Sequence, residues 1–232
     1  MPVTSVTPAP AVTATTCGTV GGRQVAVAAR SADGIFTHAP FLASEVAIIT
    51  NGEETNDPRF AYPWIRNAAT TIYAPADGVL IRIRHKAPHA GFAGDDYDLI
   101  FLAACDPSRA GASDTLFRFN HITDPRPDLK AAYGYGALPA PDLSVTPTID
   151  YEERQVPVTN IAVRAGEVLG STTGNNRNFD FMIAINDVTV CPFTPLAEPH
   201  RSALLAMLGP KTASPFGPPQ AGYPCRGYGP RP

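Results

Sequence analysis

Two short segments carry the side chains best suited to chemistry. Leu116–Ile122 reads LFRFNHI and brings an apolar alternation to His121, while Arg177–Ile185 reads RNFDFMIAI and sets Asp180 between Phe179 and Phe181. Near neutral pH an imidazole can act as general base, metal ligand or hydrogen-bond donor. A carboxylate beside it favours the charged imidazolium. One histidine and one carboxylate do not make a catalytic zinc centre, which needs three converging protein ligands and a fourth position for water. His85 and His89 lie four apart in RHKAPHAGFAGDDYD with Asp95, Asp96 and Asp98 nearby, a pattern that reads as a metal-binding loop or as a solvated hairpin tip. The four cysteines, Cys17, Cys105, Cys191 and Cys225, have no CxxC spacing. An even number suits two disulfides in an oxidising compartment, with buried thiols as the alternative. Cys191 and Cys225 flank a helical segment, so that pair is expected to staple the tail, leaving Cys17 with Cys105.

The elements that must position these residues are strands. YDLIFLAA is almost continuously apolar, as expected of a central strand buried on both faces, and LFRFNHI alternates next to it across the hairpin loop CDPSRAGASD. TTIYAPADGVLIRIRH reads as a half-buried hairpin, with Val79, Ile81 and Ile83 on one face and Arg82 and Arg84 on the other. VTNIAVRAGEVLGSTTG supplies two more short strands around an Ala-Gly turn, and EVAIITNG and FAYPWI are strand-like or loop-like. One helix is predicted at PHRSALLAMLG, where Pro199 suits the first turn, Leu204, Leu205 and Leu208 share a face, and Gly209 closes the end. The fold class is therefore all-β, with long loops and one short C-terminal helix.

Composition bounds the rest. The 232 residues are 44% hydrophobic and only 17% charged, with 25 prolines and 19 glycines. That suits one strand-rich domain, read here as residues 31–209, between a Thr/Pro/Ala-rich tether (1–30) and a Pro/Gly-rich tail (210–232). A net charge of −3 with no Lys/Arg run argues against nucleic acid as a partner. There is no 18-residue apolar run, so no transmembrane segment is expected, and the N-terminal sequence lacks the basic and apolar regions of a signal peptide. The stretch 123–157, dense in proline, glycine and tyrosine, reads as an insertion covering one side of the sheet. No GxSxG, Walker or dinucleotide motif is present.

Six segments come in a telling order: IYAPADGVL, YDLIFLA, FNHI, VRAGEVLGSTTG, FDFMI and VCPFTPL. Together they resemble the lysostaphin/LytM-type zinc peptidases, over residues 70–196. The resemblance implies a mostly antiparallel β sandwich of the duplicated hybrid motif type, with a groove over one sheet. Such enzymes cut the peptide crosslinks of bacterial peptidoglycan, using zinc held by an HxxxD motif and an HxH motif. Here Asn178, Phe179 and Asp180 occupy the HxH positions, and no histidine lies in NDPRFAYPWIRNAATT, where HxxxD belongs. Only His121 matches, at the position of the YxHL histidine that assists water or the oxyanion.

The expectation is thus an exported, catalytically inactive peptidase-fold domain that is secreted, periplasmic or at the cell surface. It would bind peptidoglycan or a protein partner in a groove formed by Asp180, Asn178, Phe119 and Phe179, with Trp64 a further candidate. His121 is its residual catalytic or structural histidine, in contact with Asp180, and no metal or cofactor is expected. Two alternatives stand: an active cell-wall metallo-endopeptidase with rearranged ligands, which would need zinc, and a structural surface protein.

Overall fold

The computed structural model describes residues 14–20, 23–28, 35–51, 61–65, 69–86, 96–104, 115–132, 161–173, 179–185, 188–190, 192–193, 195–208 and 212–213. The strands are β1 (Ala14–Val20), β2 (Arg23–Ala28), β3 (Val46–Asn51), β4 (Ala61–Ile65), β5 (Ala69–Tyr73), β6 (Gly78–Lys86), β7 (Asp96–Ala104), β8 (Thr115–Ile122), β9 (Asp124–Pro125), β10 (Ala162–Val163), β11 (Val168–Thr173), β12 (Asp180–Ile185), β13 (Val188–Val190) and β14 (Thr212–Ala213). The helices are α1 (Pro127–Ala132) and α2 (His200–Leu208), with a 3-10 turn at Ala43–Glu45.

Among the described residues the largest sheet runs β10-β6-β7-β8-β12-β4-β3-β14, with β13 also on β12, and a smaller one runs β5-β11-β9. Every strand pair is antiparallel except β14 on β3. Side chains from both sheets enter one core, Ile72 and Leu169 from the smaller and Leu80, Ile83, Leu99, Phe101, Phe117, Phe119 and Ile183 from the larger. The strands are as expected from the sequence pattern, and their arrangement is the mostly antiparallel β sandwich that the resemblance implies. β7 lies between β6 and β8 and is buried on both faces, as its apolar run requires.

Phenylalanines tie the middle strands together. Phe101 stacks on Phe117 at 4.8 Å and Phe119 on Phe181 at 4.9 Å, while Phe117 and Phe119 meet edge to face at 6.4 Å. Such pairs add about 0.5–1.5 kcal/mol each beyond the area they bury. Both helices pack on this core, α1 through Leu129 and α2 through Leu204. The α2 N-terminus is held by Glu198, whose carboxylate accepts the Ser202 N–H at 3.1 Å and the Arg201 Nε–H at 2.9 Å. α1 lies within the stretch read as an insertion, and its signal was local: Pro127 at the first helical position and Asp128 in the first turn. Arg126 anchors it, donating to Asp128 at 2.6 and 2.9 Å and to Glu167 at 3.0 Å.

The APADG turn does not close the hairpin expected of it, and the RAGE turn also joins strands of different sheets. β5 pairs with β11 and not with β6, so the Ala74–Asp77 turn carries the chain from the smaller sheet to the larger. The Arg164–Glu167 turn carries it back from β10 to β11. The two corners bind each other: Ala74 N–H donates to Glu167 O (2.9 Å), Gly166 N–H to Ala74 O (2.8 Å) and Ala165 N–H to Asp77 Oδ1 (2.8 Å). Gly166 has φ +84°, and a Cβ there would lie 2.7 Å from the His38 ring. The face assignment in β6 also changes. A bulge between Leu80 and Arg82 sends Leu80 and Ile83 to the core, while Val79 pairs with Leu102 on the opposite face.

Within the stretch read as a tether, β1 and β2 pair antiparallel, with β2 lying against β6 and β7. Within the C-terminal tail, β14 adds to β3. The expected disulfides lie outside the described residues, apart from the backbone of Cys17 in β1.

Candidate functional site

Strand alternation sends Phe117 and Phe119 to the core and Arg118 and Asn120 to the opposite face of the sheet. Continued unchanged, that alternation would drive His121 into the phenylalanine core. It does not continue. Leu99 pairs with Phe119 and Tyr97 with Ile122, so Asn120 and His121 together oppose the single residue Asp98. His121 takes up the extra residue with φ +64°, a left-handed conformation uncommon outside glycine and costing about 1–2 kcal/mol. This bulge turns the imidazole onto the polar face and returns Ile122 to the core.

Among the described residues the polar face holds one connected chain of seven side chains from four strands. Arg84 on β6 approaches Asp98 Oδ2 at 3.9 Å, and Arg118 Nη2 donates to the same oxygen at 3.1 Å. Arg118 Nε donates to Asn120 Oδ1, and Asn120 Nδ2 donates to Asp180 Oδ2 at 3.2 Å. His121 closes the chain, with Nε2 3.5 Å from Asp180 Oδ2 and Nδ1 2.9 Å from Asp96 Oδ2. Ionised carboxylates only accept hydrogen bonds, so the imidazolium is the form that serves both neighbours. With that proton, three cations face three carboxylates among the described residues.

His121 and Asp180 therefore meet, and a second carboxylate, Asp96, lies on the other side of the ring. Sequence reasoning missed Arg118 and Asn120; it noted Asp96 and Asp98 only beside His85, and Arg84 only on the polar face of its hairpin, and joined none of them to His121. One signal was available: Asp96 and Asp98 flank Tyr97, so strand alternation places both carboxylates on one face. The same alternation separates them from His85, which is buried and stacks on Tyr97 at 4.6 Å; it is not at a solvated tip. His89 and Asp95 lie outside the described residues, as does Asn178. Trp64 falls on β4, of which only the backbone is described.

Phe119 and Phe179 require a correction. Both are fully buried, Phe119 stacked on Phe181 and Phe179 packed edge to face on Phe41 at 5.3 Å. They face the core because they alternate with the polar residues of the site, and no ligand can reach them without opening the sandwich.

The residues described here do not fit a zinc ion. The two ring nitrogens of His121 point to different carboxylates on opposite sides of the ring, so the donors do not converge on one point. Among the described residues no group of three His, Cys, Asp or Glu side chains could hold a metal ion. What the arrangement offers is a fixed, hydrogen-bonded polar floor with the His121 ring between two carboxylates.

No protein-family model and no curated protein matches the chain. Among solved structures it is similar to Helicobacter pylori Csd3. In the orthorhombic crystal the identity is 9% and the TM-score 0.39, over 76% of this chain and 42% of that one. In the hexagonal crystal the identity is 10% and the TM-score 0.38, over 80% and 45%. The chain spans less than half the length of Csd3 in either comparison.

Proposed function

We propose that this chain is an exported, non-hydrolytic peptidase-fold module that binds peptidoglycan or a protein partner over the polar face of its large sheet. The observation that carries the reading is the Asp96–His121–Asp180 array. A water-activating centre presents a ring nitrogen to a metal or to the reacting water, whereas here each nitrogen of His121 faces a carboxylate. The array is built to hold the imidazole still. The six peptidase-like segments in their order supply the cell-wall theme of the proposal, and the missing HxxxD and HxH histidines supply its non-hydrolytic character.

The test uses the purified full chain with insoluble peptidoglycan. Co-sedimentation without solubilisation of the cell-wall material, unchanged by added zinc, is the expected result. Stoichiometric zinc together with peptidoglycan cleavage that is lost in His121→Ala would overturn the proposal in favour of an enzyme with rearranged ligands. Absence of sedimentation with peptidoglycan, and of any captured protein partner that the Met182→Glu variant releases, would leave the structural-protein reading. Met182 serves this purpose because it pairs across β12 and β8 with Arg118, on the same face as the network.

A further inference from the structure

The polar network is layered by charge. The three carboxylate side chains lie beneath the surface, with exposures of 2% for Asp96, 2% for Asp98 and 6% for Asp180. The three cations reach solvent, at 23% for Arg84, 18% for Arg118 and 21% for His121. With His121 charged, a molecule approaching these described residues meets guanidinium and imidazolium edges before it meets the carboxylates. A cationic layer above a buried anionic one has an outward positive field at contact distance, although the chain as a whole carries −3.

The network also fixes where these cations stand. Both guanidinium groups are drawn to the same oxygen, Asp98 Oδ2, from the neighbouring strands β6 and β8. Asn120 links Arg118 onward to Asp180 and so to His121. Cations positioned in this way lose little side-chain freedom when an anion arrives, and a guanidinium matches a carboxylate in shape and hydrogen bonding.

Resting on the binding-module reading above, we infer that the Arg84–Arg118–His121 edge receives a carboxylate of the ligand, one borne by a peptide. A neutral sugar surface would draw no advantage from this layering. A cationic ligand would be opposed by it.

The experiment compares two probes on the full chain, N-acetyl-alanyl-alanine with a free C-terminal carboxylate and the same dipeptide as its C-terminal amide, by calorimetry or amide chemical-shift titration. The free acid is expected to bind roughly tenfold more tightly at low ionic strength, with the preference shrinking as salt is raised. The preference should vanish in Arg84→Gln. It should also vanish in Met182→Glu, which adds a negative charge opposite Arg118 without removing a member of the network. Melting curves establish that each variant is folded. Equal binding of acid and amide, or a preference that survives in a folded Met182→Glu, overturns the inference. If peptidoglycan sediments with the chain while acid and amide bind alike, only this inference falls; if peptidoglycan, protein partners and both probes all fail to bind, the proposed function falls with it.

Discussion

His121→Ala tests the central claim about the network, that the histidine acts as the cation between two buried carboxylates. Removing one partner of a buried ion pair costs about 3–5 kcal/mol, because the remaining charge stays desolvated. His121 is one-fifth exposed, so water partly screens the loss and about 2–3 kcal/mol is expected. For a chain of this size that corresponds to a fall in melting temperature of roughly 5–10 °C. The backbone supplies an internal control. At φ +64° alanine carries the left-handed penalty and glycine does not, so His121→Gly should be about 1 kcal/mol more stable than His121→Ala despite the flexibility of glycine. A second control is His121→Ala in an Asp96→Asn, Asp180→Asn background. With the carboxylates neutralised, the cost of losing the imidazolium should fall below about 1 kcal/mol. The assay is urea unfolding followed by circular dichroism. A His121→Ala variant within about 0.5 kcal/mol of the natural chain, or one equally destabilised with and without the two carboxylates, would refute the ionic account.

Three further outcomes follow from the geometry. The hydrogen bonds from Arg126 hold the Asp128 carboxyl below the usual aspartate range, against the opposing effect of partial burial. A group whose value is lowered by folding contributes stability that is present above its unfolded value and is lost as the pH drops through the folded one. With Asp128 half exposed the contribution is below about 1 kcal/mol, and a carboxyl-carbon NMR titration with an Asp128 midpoint at or above the usual range would contradict the clamp. Gly166→Ala should destabilise by about 2 kcal/mol, since it combines φ +84° with a Cβ 2.7 Å from His38; a His38→Ala background should recover the steric part and leave the backbone part, read by thermal melting. Phe119→Ala should cost about 3–5 kcal/mol and Phe119→Leu much less, with peptidoglycan retention unchanged in the folded Leu variant; loss of retention there would return Phe119 to the binding surface.

Much of the scaffold was legible in local pattern. The two-residue period of LFRF assigns Phe117 and Phe119 to one face, the continuous run in YDLIFLAA marks a strand buried twice over, and Pro199 with Leu204 locates α2. These are properties that a short segment carries by itself, because side-chain direction along a strand or helix repeats with a fixed period. The partnership of His121 with Asp180 was legible only through the order of the peptidase-like segments.

What only the tertiary structure decided is register. Period-two reasoning, applied without a break, buries His121 and turns Leu80 away from the core; each is placed by a bulge that exists only because a neighbouring strand fixes how many residues lie between two paired positions. The same holds for the corners at Ala74–Asp77 and Arg164–Glu167, which look like hairpin turns and instead join two sheets, since their hydrogen bonds go to each other across the fold. Asp96 stands 25 residues from His121 in the chain and Asp180 lies 60 residues from its partner Asn120. No local spacing encodes those distances. The residue types set which groups could carry charge, while the folding of β7, β8 and β12 side by side, with one extra residue at His121, determined that this imidazole would lie between two carboxylates.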